Sequence, residues 1–223
     1  MSETLLEAAG TREAVLNPVD RVSELLFGLF MALTFVAAVS VAESGRDEIR
    51  KMFIAALGCN LAWGLVDAVM YVVRTVTDRG KSLTLLIAVR SAADAETGRR
   101  LIERSLSRVV AGLVSTAEIE AMRVRIVGLP SVPERPRLRG HDLLAALAIF
   151  LIVVASTFPV VLPFAIFTDV ATAKTVSRAV ALAMLFFGGL VLGRYAGYGS
   201  WKVGVMMAAL GTALMLAINA LGG

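Results

Sequence analysis

One carboxylate inside a long apolar run constrains this chain more than any other feature. Residues 52–73, MFIAALGCNLAWGLVDAVMYVV, contain a single acidic side chain, Asp67. At about 1.5 Å per residue, a helix of this length extends about 33 Å, which is enough to cross the hydrocarbon core of a bilayer. An ionisable group at that depth normally faces protein or water, so Asp67 is a candidate functional residue.

Polar residues recur in helical register with this carboxylate. The members are spaced three, four and three residues apart: Asn60, Trp63, Asp67 and Met70. This spacing predicts that they share one helical face, opposite an aliphatic face that suits lipid. Two interpretations remain open. Asn60 and Asp67 either serve transport or ligand binding, or they hydrogen-bond a neighbouring helix as packing contacts.

The composition is that of an integral membrane protein. The chain has 223 residues, of which 57% are hydrophobic, and its mean hydropathy of +0.78 is too high for a soluble domain of this length. The net charge of +4 comes mainly from loop arginines, which orient membrane proteins and contact anionic headgroups, so it does not indicate nucleic acid. The lone Cys59 excludes an internal disulfide; it is interpreted as a small buried hydrophobe or, alternatively, as a soft metal ligand.

Five apolar runs predict an all-α, polytopic fold with five transmembrane helices. The predicted spans lie at residues 21–42, 52–73, 143–167, 175–193 and 203–222. They divide the chain into an N-terminal segment at 1–20, helices one and two within 21–73, a helical cytoplasmic insert at 74–142, and helices three to five within 143–223. The N-terminal segment has room for a short surface helix, and Asn17-Pro18 is a turn or helix-start signal.

The hydrophilic insert is broken by glycines and by a proline cluster, and its apolar residues recur at helical spacing. This pattern predicts three amphipathic helices that form a small cap outside the membrane. The stretch Ser115-Thr116-Ala117-Glu118 predicts a helix start at which Glu118 has a capping role.

Prolines and glycines in the later spans predict a bend in one helix and close packing of another. Pro159 and Pro163 lie inside the third span, and each removes a backbone donor, so that helix is predicted to be bent or broken near its far end. Gly189, Gly193 and Gly197 have the small-xxx-small spacing that lets another helix approach closely.

The distribution of lysine and arginine predicts the orientation. If the N-terminus and the insert share a side, that side holds 17 basic residues against 5, or 9 against 5 when only insert residues near the spans are counted. The N-terminus and the insert are therefore predicted to be cytoplasmic, and the C-terminus outside. Glu24 and Asp67 would then both lie within about 10 Å of the cytoplasmic face. Glu24 shares a helical stripe with Met31, although it could equally be a snorkelling interfacial residue beside Arg21.

Three stretches resemble the vacuolar iron transporter family. LLFGLFMALTF at 25–35 is similar to the family's IFG-x-x-x-G-L-V-T opening, TFPVVLPF at 157–164 to its P-L-L-P-F, and GTALMLAINALGG at 211–223 to its glycine-containing last helix. The resemblance implies a homodimer whose first two spans line a pathway. It also implies that Fe²⁺ or Mn²⁺ is cargo rather than a permanent cofactor, collected by carboxylates of the cytoplasmic helices and exported against protons. Here those carboxylates would be Glu103, Glu118 and Glu120.

The chain departs from the family pattern at two points. Counting from the matched Phe27-Gly28, the position of the family's span-one aspartate is occupied by Met31. The family's cytoplasmic helices are rich in glutamate, whereas residues 74–142 hold 8 acidic against 13 basic residues. Glu118 and Glu120 are two apart, so they point to different helix faces and are not expected to chelate together.

Two functions fit these features. In the first, the chain is a divalent-metal transporter of the inner membrane, with Glu24 and Asp67 near the cytoplasmic mouth and softer partners deeper in. Those partners are Met31, Cys59, Asn60 and Met70. In the second, a transport-inactive descendant is a membrane scaffold or sensor whose basic cap binds anionic lipid or a protein partner. Transport of protons or an organic solute is a third possibility. The sequence has no catalytic triad pattern, zinc spacing or phosphate loop, so no enzyme is predicted.

Overall fold

The computed structural model describes residues 16, 18–39, 46–197 and 199–221, and within these ranges the regular secondary structure is helical throughout. The described helices are α1 Pro18–Val39, α2 Arg46–Arg90, α3 Ala95–Ser105, α4 Arg108–Ala111, α5 Thr116–Val127, α6 Gly140–Ile166, α7 Val170–Ala196 and α8 Ser200–Ala220. The prediction of an all-α fold is confirmed.

Five of the helices in the described ranges are long and apolar enough to cross a membrane: α1, α2, α6, α7 and α8. The prediction of five transmembrane helices is therefore confirmed. The first helix begins at Pro18 rather than at Arg21, because the fixed φ of proline suits the first helical position. The interpretation of residues 1–15 and 17, including the short surface helix, lies outside the described residues, as does the connection at 40–45.

The described residues divide into two compact units. One unit is Tyr71–Asp142, and the other comprises the described parts of 14–70 and 143–223. We call them the insert unit and the membrane unit, and each is described by itself.

Helix α2 is longer than predicted. It runs for 45 residues, whereas the second span was predicted to end at Val73 and a separate amphipathic helix to follow. A change from apolar to polar side chains does not interrupt backbone hydrogen bonds. Gly80 costs the helix only about 1 kcal/mol, and no proline occurs between Pro18 and Pro130, so nothing in this stretch stops the helix.

In the insert unit, α3 packs against α5. Its buried apolar core is formed by Val89, Ile102 and Ile119. The predicted helix start is confirmed, because Ser115 and Glu118 form a capping box in which each side chain bonds the backbone N–H of the other residue.

A buried carboxylate ties the return segment of the insert unit to α2. Asp142, whose side chain is 4% exposed, accepts two hydrogen bonds from the guanidinium of Arg79, at 2.6 and 2.7 Å. Its Oδ2 also accepts the backbone N–H of Arg139, and Arg79 donates to the carbonyl oxygen of Arg137. This bidentate pair fixes the first turn of α6, in which Asp142 lies, and the residues just before it.

In the membrane unit, one apolar core joins α1 to α6 and α7. Its buried members are Leu26, Leu29, Ala32, Leu33, Val36, Val160, Ala181 and Leu185. Helix α1 also packs on α8, and α7 packs on α8. Gly188 of α7 allows the close approach to α1, because a Cβ there would lie 2.7 Å from Cδ2 of Leu26.

Helix α6 continues through Pro159 and Pro163, so the broken form of the prediction is wrong. A proline inside a helix leaves nearby carbonyls short of donors. Here the carbonyl oxygen of Val160 accepts a hydrogen bond from the buried hydroxyl of Ser177 on α7. This bond ties α7 to α6 next to the prolines, whose missing N–H groups affect the carbonyl oxygens of Ala155 and Pro159.

Helices α7 and α8 approach closely through glycines. A Cβ on Gly189 would lie 2.8 Å from Cα of Gly204, and one on Gly193 would lie 2.7 Å from Cα of Ser200. The predicted packing role is confirmed for these two glycines and is wrong for Gly197. That residue has open space around it and ends α7 in the left-handed conformation, with φ of 71°.

Candidate functional site

The inward face of α2 carries two of the four residues that the sequence predicted to share it, Asn60 and Asp67. Asn60 is 1% exposed, Gly64 and Ala68 are buried, and Asp67 is half-buried. Gly64 brings α2 close to α6, since a Cβ there would lie 3.2 Å from the carbonyl oxygen of Phe150. The face that carries Asn60 and Asp67 is therefore the one that meets other helices.

Asn60 is bonded to α6. Its Nδ2 donates to Oγ1 of Thr157, a side chain with no solvent exposure. The other amide atom, Oδ1, is also buried and makes no hydrogen bond to any described residue. A buried amide oxygen without a donor is costly, so this oxygen remains available to a ligand that can interact with it.

A second hydroxyl lies beside this bond. The buried Ser156 donates to the carbonyl oxygen of Val153 at 2.7 Å, and the Thr157 hydroxyl lies 3.5 Å from the same oxygen. Helix α1 approaches here as well, because a Cβ on Gly28 would lie 2.9 Å from that carbonyl oxygen. We call Asn60, Asp67, Ser156 and Thr157 the polar seam, in which Asp67 lies about 10 Å along α2 from Asn60.

An aromatic contact relates α1 to α2. The rings of Phe27 and Trp63 have centroids 6.0 Å apart and meet edge to face. Glu24 precedes Phe27 by about one helical turn, and Asp67 follows Trp63 by about one turn. Only six residues join α1 to α2, and consecutive membrane spans run in opposite directions, so we infer that both carboxylates lie on the same side of this ring contact.

The other residues predicted for the pathway occupy different surroundings. Trp63 and Met70 are 42% and 45% exposed, so they do not share the inward face with Asn60. Glu24, Met31 and Cys59 are half-buried. In the part of the chain that the structure describes, no three Asp, Glu, His or Cys side chains converge on one point.

The three carboxylates proposed for the insert unit do not share one environment. Glu103 is exposed on α3. Glu118 accepts the backbone N–H and the hydroxyl of Ser115. Glu120 bonds Arg123 at 2.7 Å and Arg99 at 3.2 Å.

These contacts change the acidity of two of those carboxylates. The hydroxyl and then the backbone N–H of Ser115 lower the pKa of Glu118. The hydrogen bond from Arg123 is the main cause of the lowered pKa of Glu120, with a smaller contribution from Arg99. A metal ion at either carboxylate would have to displace these donors.

Sequence reasoning missed Ser156 and Thr157. The signal was available, because two adjacent hydroxyl residues interrupt an otherwise apolar run of α6 just before Pro159. Hydroxyl side chains inside membrane spans commonly bond across helices or back to their own backbone, and these two do both. Thr157 supplies the hydroxyl that faces Asn60, whereas the Ser156 hydroxyl faces Gly28 of α1.

The polar seam offers an amide oxygen, a carboxylate and two hydroxyl oxygens, which are hard donors suited to a small cation or to proton transfer. Compared with models of known protein families and with curated protein sequences, the chain matches none.

Proposed function

We propose that the chain is a membrane transporter for a divalent metal cation. The observation that carries the proposal is the position of Asn60 and Asp67 on the inward face of α2, where Asn60 is bonded to the Thr157 hydroxyl of α6. A carboxylate inside a membrane span is costly, and its usual use is a path for ions or protons. The seam's donor atoms are oxygens, which Mn²⁺ accepts readily and Fe²⁺ also accepts.

The route begins at Glu24 and Asp67, which lie on the same side of the Phe27–Trp63 contact. A homodimer would bring four such carboxylates around one axis, enough to replace several waters of a hydrated divalent ion. The resemblance to the vacuolar iron transporter family supports Fe²⁺ or Mn²⁺ as cargo and exchange against protons. The excess of basic residues supports a cytoplasmic N-terminus and insert, an outside C-terminus, and export across the inner membrane.

The test is Mn²⁺ uptake into proteoliposomes under an imposed proton gradient. The parent chain should accumulate Mn²⁺, and Asp67→Asn should lower the initial rate at least about tenfold, since the carboxylate's charge is what compensates the dehydrated ion. Glu24→Gln should lower it less. Asp169→Asn is the matched control, because asparagine can still cap α7 at the bond to the Thr172 backbone N–H.

Two outcomes would overturn the proposal. One is a parent chain that moves no Mn²⁺ or Fe²⁺ above protein-free vesicles. The other is an Asp67→Asn variant that transports as fast as the Asp169→Asn control.

The geometry of the insert unit favours a second candidate, a transport-inactive scaffold or sensor. Glu118 and Glu120 are engaged by a helix cap and by arginines, while Arg104 and Arg108 face solvent. Hydrogen exchange of the full-length protein with and without Mn²⁺ separates the two. The scaffold candidate requires unchanged exchange in α3 and α5 together with no uptake by the parent.

A further inference from the structure

We propose that the turn between α7 and α8 binds the headgroup of an anionic phospholipid. The turn presents two cations and two aromatic side chains, Arg194, Tyr195, Trp201 and Lys202, which we call the basic-aromatic turn. This inference is independent of whether the protein transports an ion.

Backbone geometry brings the two halves of the turn together. Gly193 packs so closely on α8 that a Cβ there would lie 2.7 Å from Cα and 3.0 Å from the carbonyl oxygen of Ser200. Arg194 follows Gly193 directly, and Trp201 follows Ser200 directly. The positive φ values of Gly197 (71°) and Gly199 (81°) allow the tight reversal between the helices. Side chains from the end of α7 and the start of α8 therefore share one small surface.

No described residue neutralises the charge of this surface. Arg194 and Lys202 are exposed, and neither forms an ion pair with any residue of the described ranges. After Asp169 the sequence contains no acidic residue. A guanidinium and an ammonium group on one turn match a phosphate, which arginine can bind with two parallel hydrogen bonds.

The aromatic side chains indicate a lipid rather than a free anion. Tyr195 is 55% exposed and Trp201 is 63% exposed, and both lie at the ends of helices that are long and apolar enough to cross a membrane. Tyrosine and tryptophan at such positions sit at the headgroup level, with the ring against the chains and the polar atom near water. A phospholipid satisfies both parts of the surface at once, because its phosphate meets the cations and its glycerol and chains meet the rings.

The experiment uses Trp201 as the reporter. The chain has two tryptophans, so a Trp63→Phe background leaves Trp201 as the sole source of indole fluorescence. The full-length protein is reconstituted in phosphatidylcholine vesicles in which an equal fraction of either brominated phosphatidylglycerol or brominated phosphatidylcholine quenches that fluorescence. Quenching should be stronger with the brominated phosphatidylglycerol. Arg194→Gln and Lys202→Gln should each lower the relative affinity for that lipid about fivefold.

The control is the pair Arg104→Gln and Arg108→Gln, which removes two exposed arginines from the insert unit and should leave the preference unchanged. Equal quenching by the two lipids in the Trp63→Phe parent would overturn the proposal. A control pair that lowers the lipid preference as much as Arg194→Gln and Lys202→Gln would also overturn it, since the total positive charge of the protein would then explain the preference. Loss of the preference in inorganic phosphate, with chloride at the same ionic strength as reference, would show a free-anion site and overturn the lipid assignment.

Discussion

Replacing Thr157 with valine tests the polar seam at its best-defined contact. The substitution keeps the shape of the side chain and removes the hydroxyl that accepts Nδ2 of Asn60. Thr157 has no solvent exposure, so water cannot take its place. Hydrogen bonds between membrane helices contribute about 0.6 kcal/mol on average and about 1.7 kcal/mol at most. Because the buried Oδ1 of Asn60 already lacks a donor among the described residues, the variant leaves the whole amide unsatisfied, and we expect a loss of about 1 to 2 kcal/mol.

A double-mutant cycle isolates this contribution. Asn60→Leu removes the amide, so that Thr157→Val made in that background should cost little, and the coupling between the two positions should be about 1 kcal/mol. The free energy of unfolding is measured in lipid bicelles by steric trapping. Thr212→Val is the matched control, because its hydroxyl bonds only the carbonyl oxygen of Ala208 within α8 and the side chain is exposed. Additive effects, with a coupling below about 0.3 kcal/mol, would refute the assigned contact.

Three further predictions concern packing, charge and pH. Gly189→Ala should destabilise the protein by about 1 to 3 kcal/mol, because its Cβ would lie 2.8 Å from the backbone of α8. Gly58→Ala, which meets nothing within 4 Å, should instead stabilise α2 by up to about 1 kcal/mol. Arg79→Ala should cost about 2 kcal/mol and speed hydrogen exchange at the start of α6, because it leaves the buried carboxylate of Asp142 with fewer donors. Acidification should loosen α3 and α5, measured by their hydrogen exchange, with Glu120 as a main contributor.

The sign of the pH effect follows from the lowered pKa of Glu120 in the folded state. At a pH between the folded and the unfolded pKa of Glu120, the unfolded chain binds more protons than the folded chain. The contribution of Glu120 to stability is therefore fully present above about pH 4.3, the pKa of an unperturbed glutamate, and is lost as the pH falls below it. Glu120→Gln should flatten this dependence. Protection factors of α3 and α5, which are exchange rates corrected for the intrinsic effect of pH, that stay constant under acid in the parent would contradict the pH prediction. Glycine variants with equal effects would contradict the packing prediction.

The sequence was sufficient for the features that depend on local patterns. Runs of apolar side chains long enough for a bilayer located the five spans, and the spacing of Ser115 and Glu118 located a capping box. Both are patterns of residues that follow one another along the chain. The end of α2 could not be located in this way, because the boundary between apolar and polar side chains at Val73 is not a boundary for backbone hydrogen bonds.

The composition of the inward face of α2 shows a different limit. With about 100° between successive residues, Trp63 and Met70 lie about 60° and 80° from Asn60 around the helix axis, on the side away from Gly64. Spacing alone places all of them within one broad face. Only the packing of Gly64 against α6 decides which part of that face is covered, and it leaves Trp63 and Met70 outside.

The hydrogen bond from Ser177 to the carbonyl oxygen of Val160 has a consequence for motion. Sliding α7 along α6 would leave the buried hydroxyl of Ser177 without its acceptor in an apolar medium, so these two helices are expected to move together. Only 11% of the membrane-crossing stretch of α2 is buried within the protein. Any cycle that exposes the seam first to one side and then to the other is therefore expected to swing α2 against a stationary remainder.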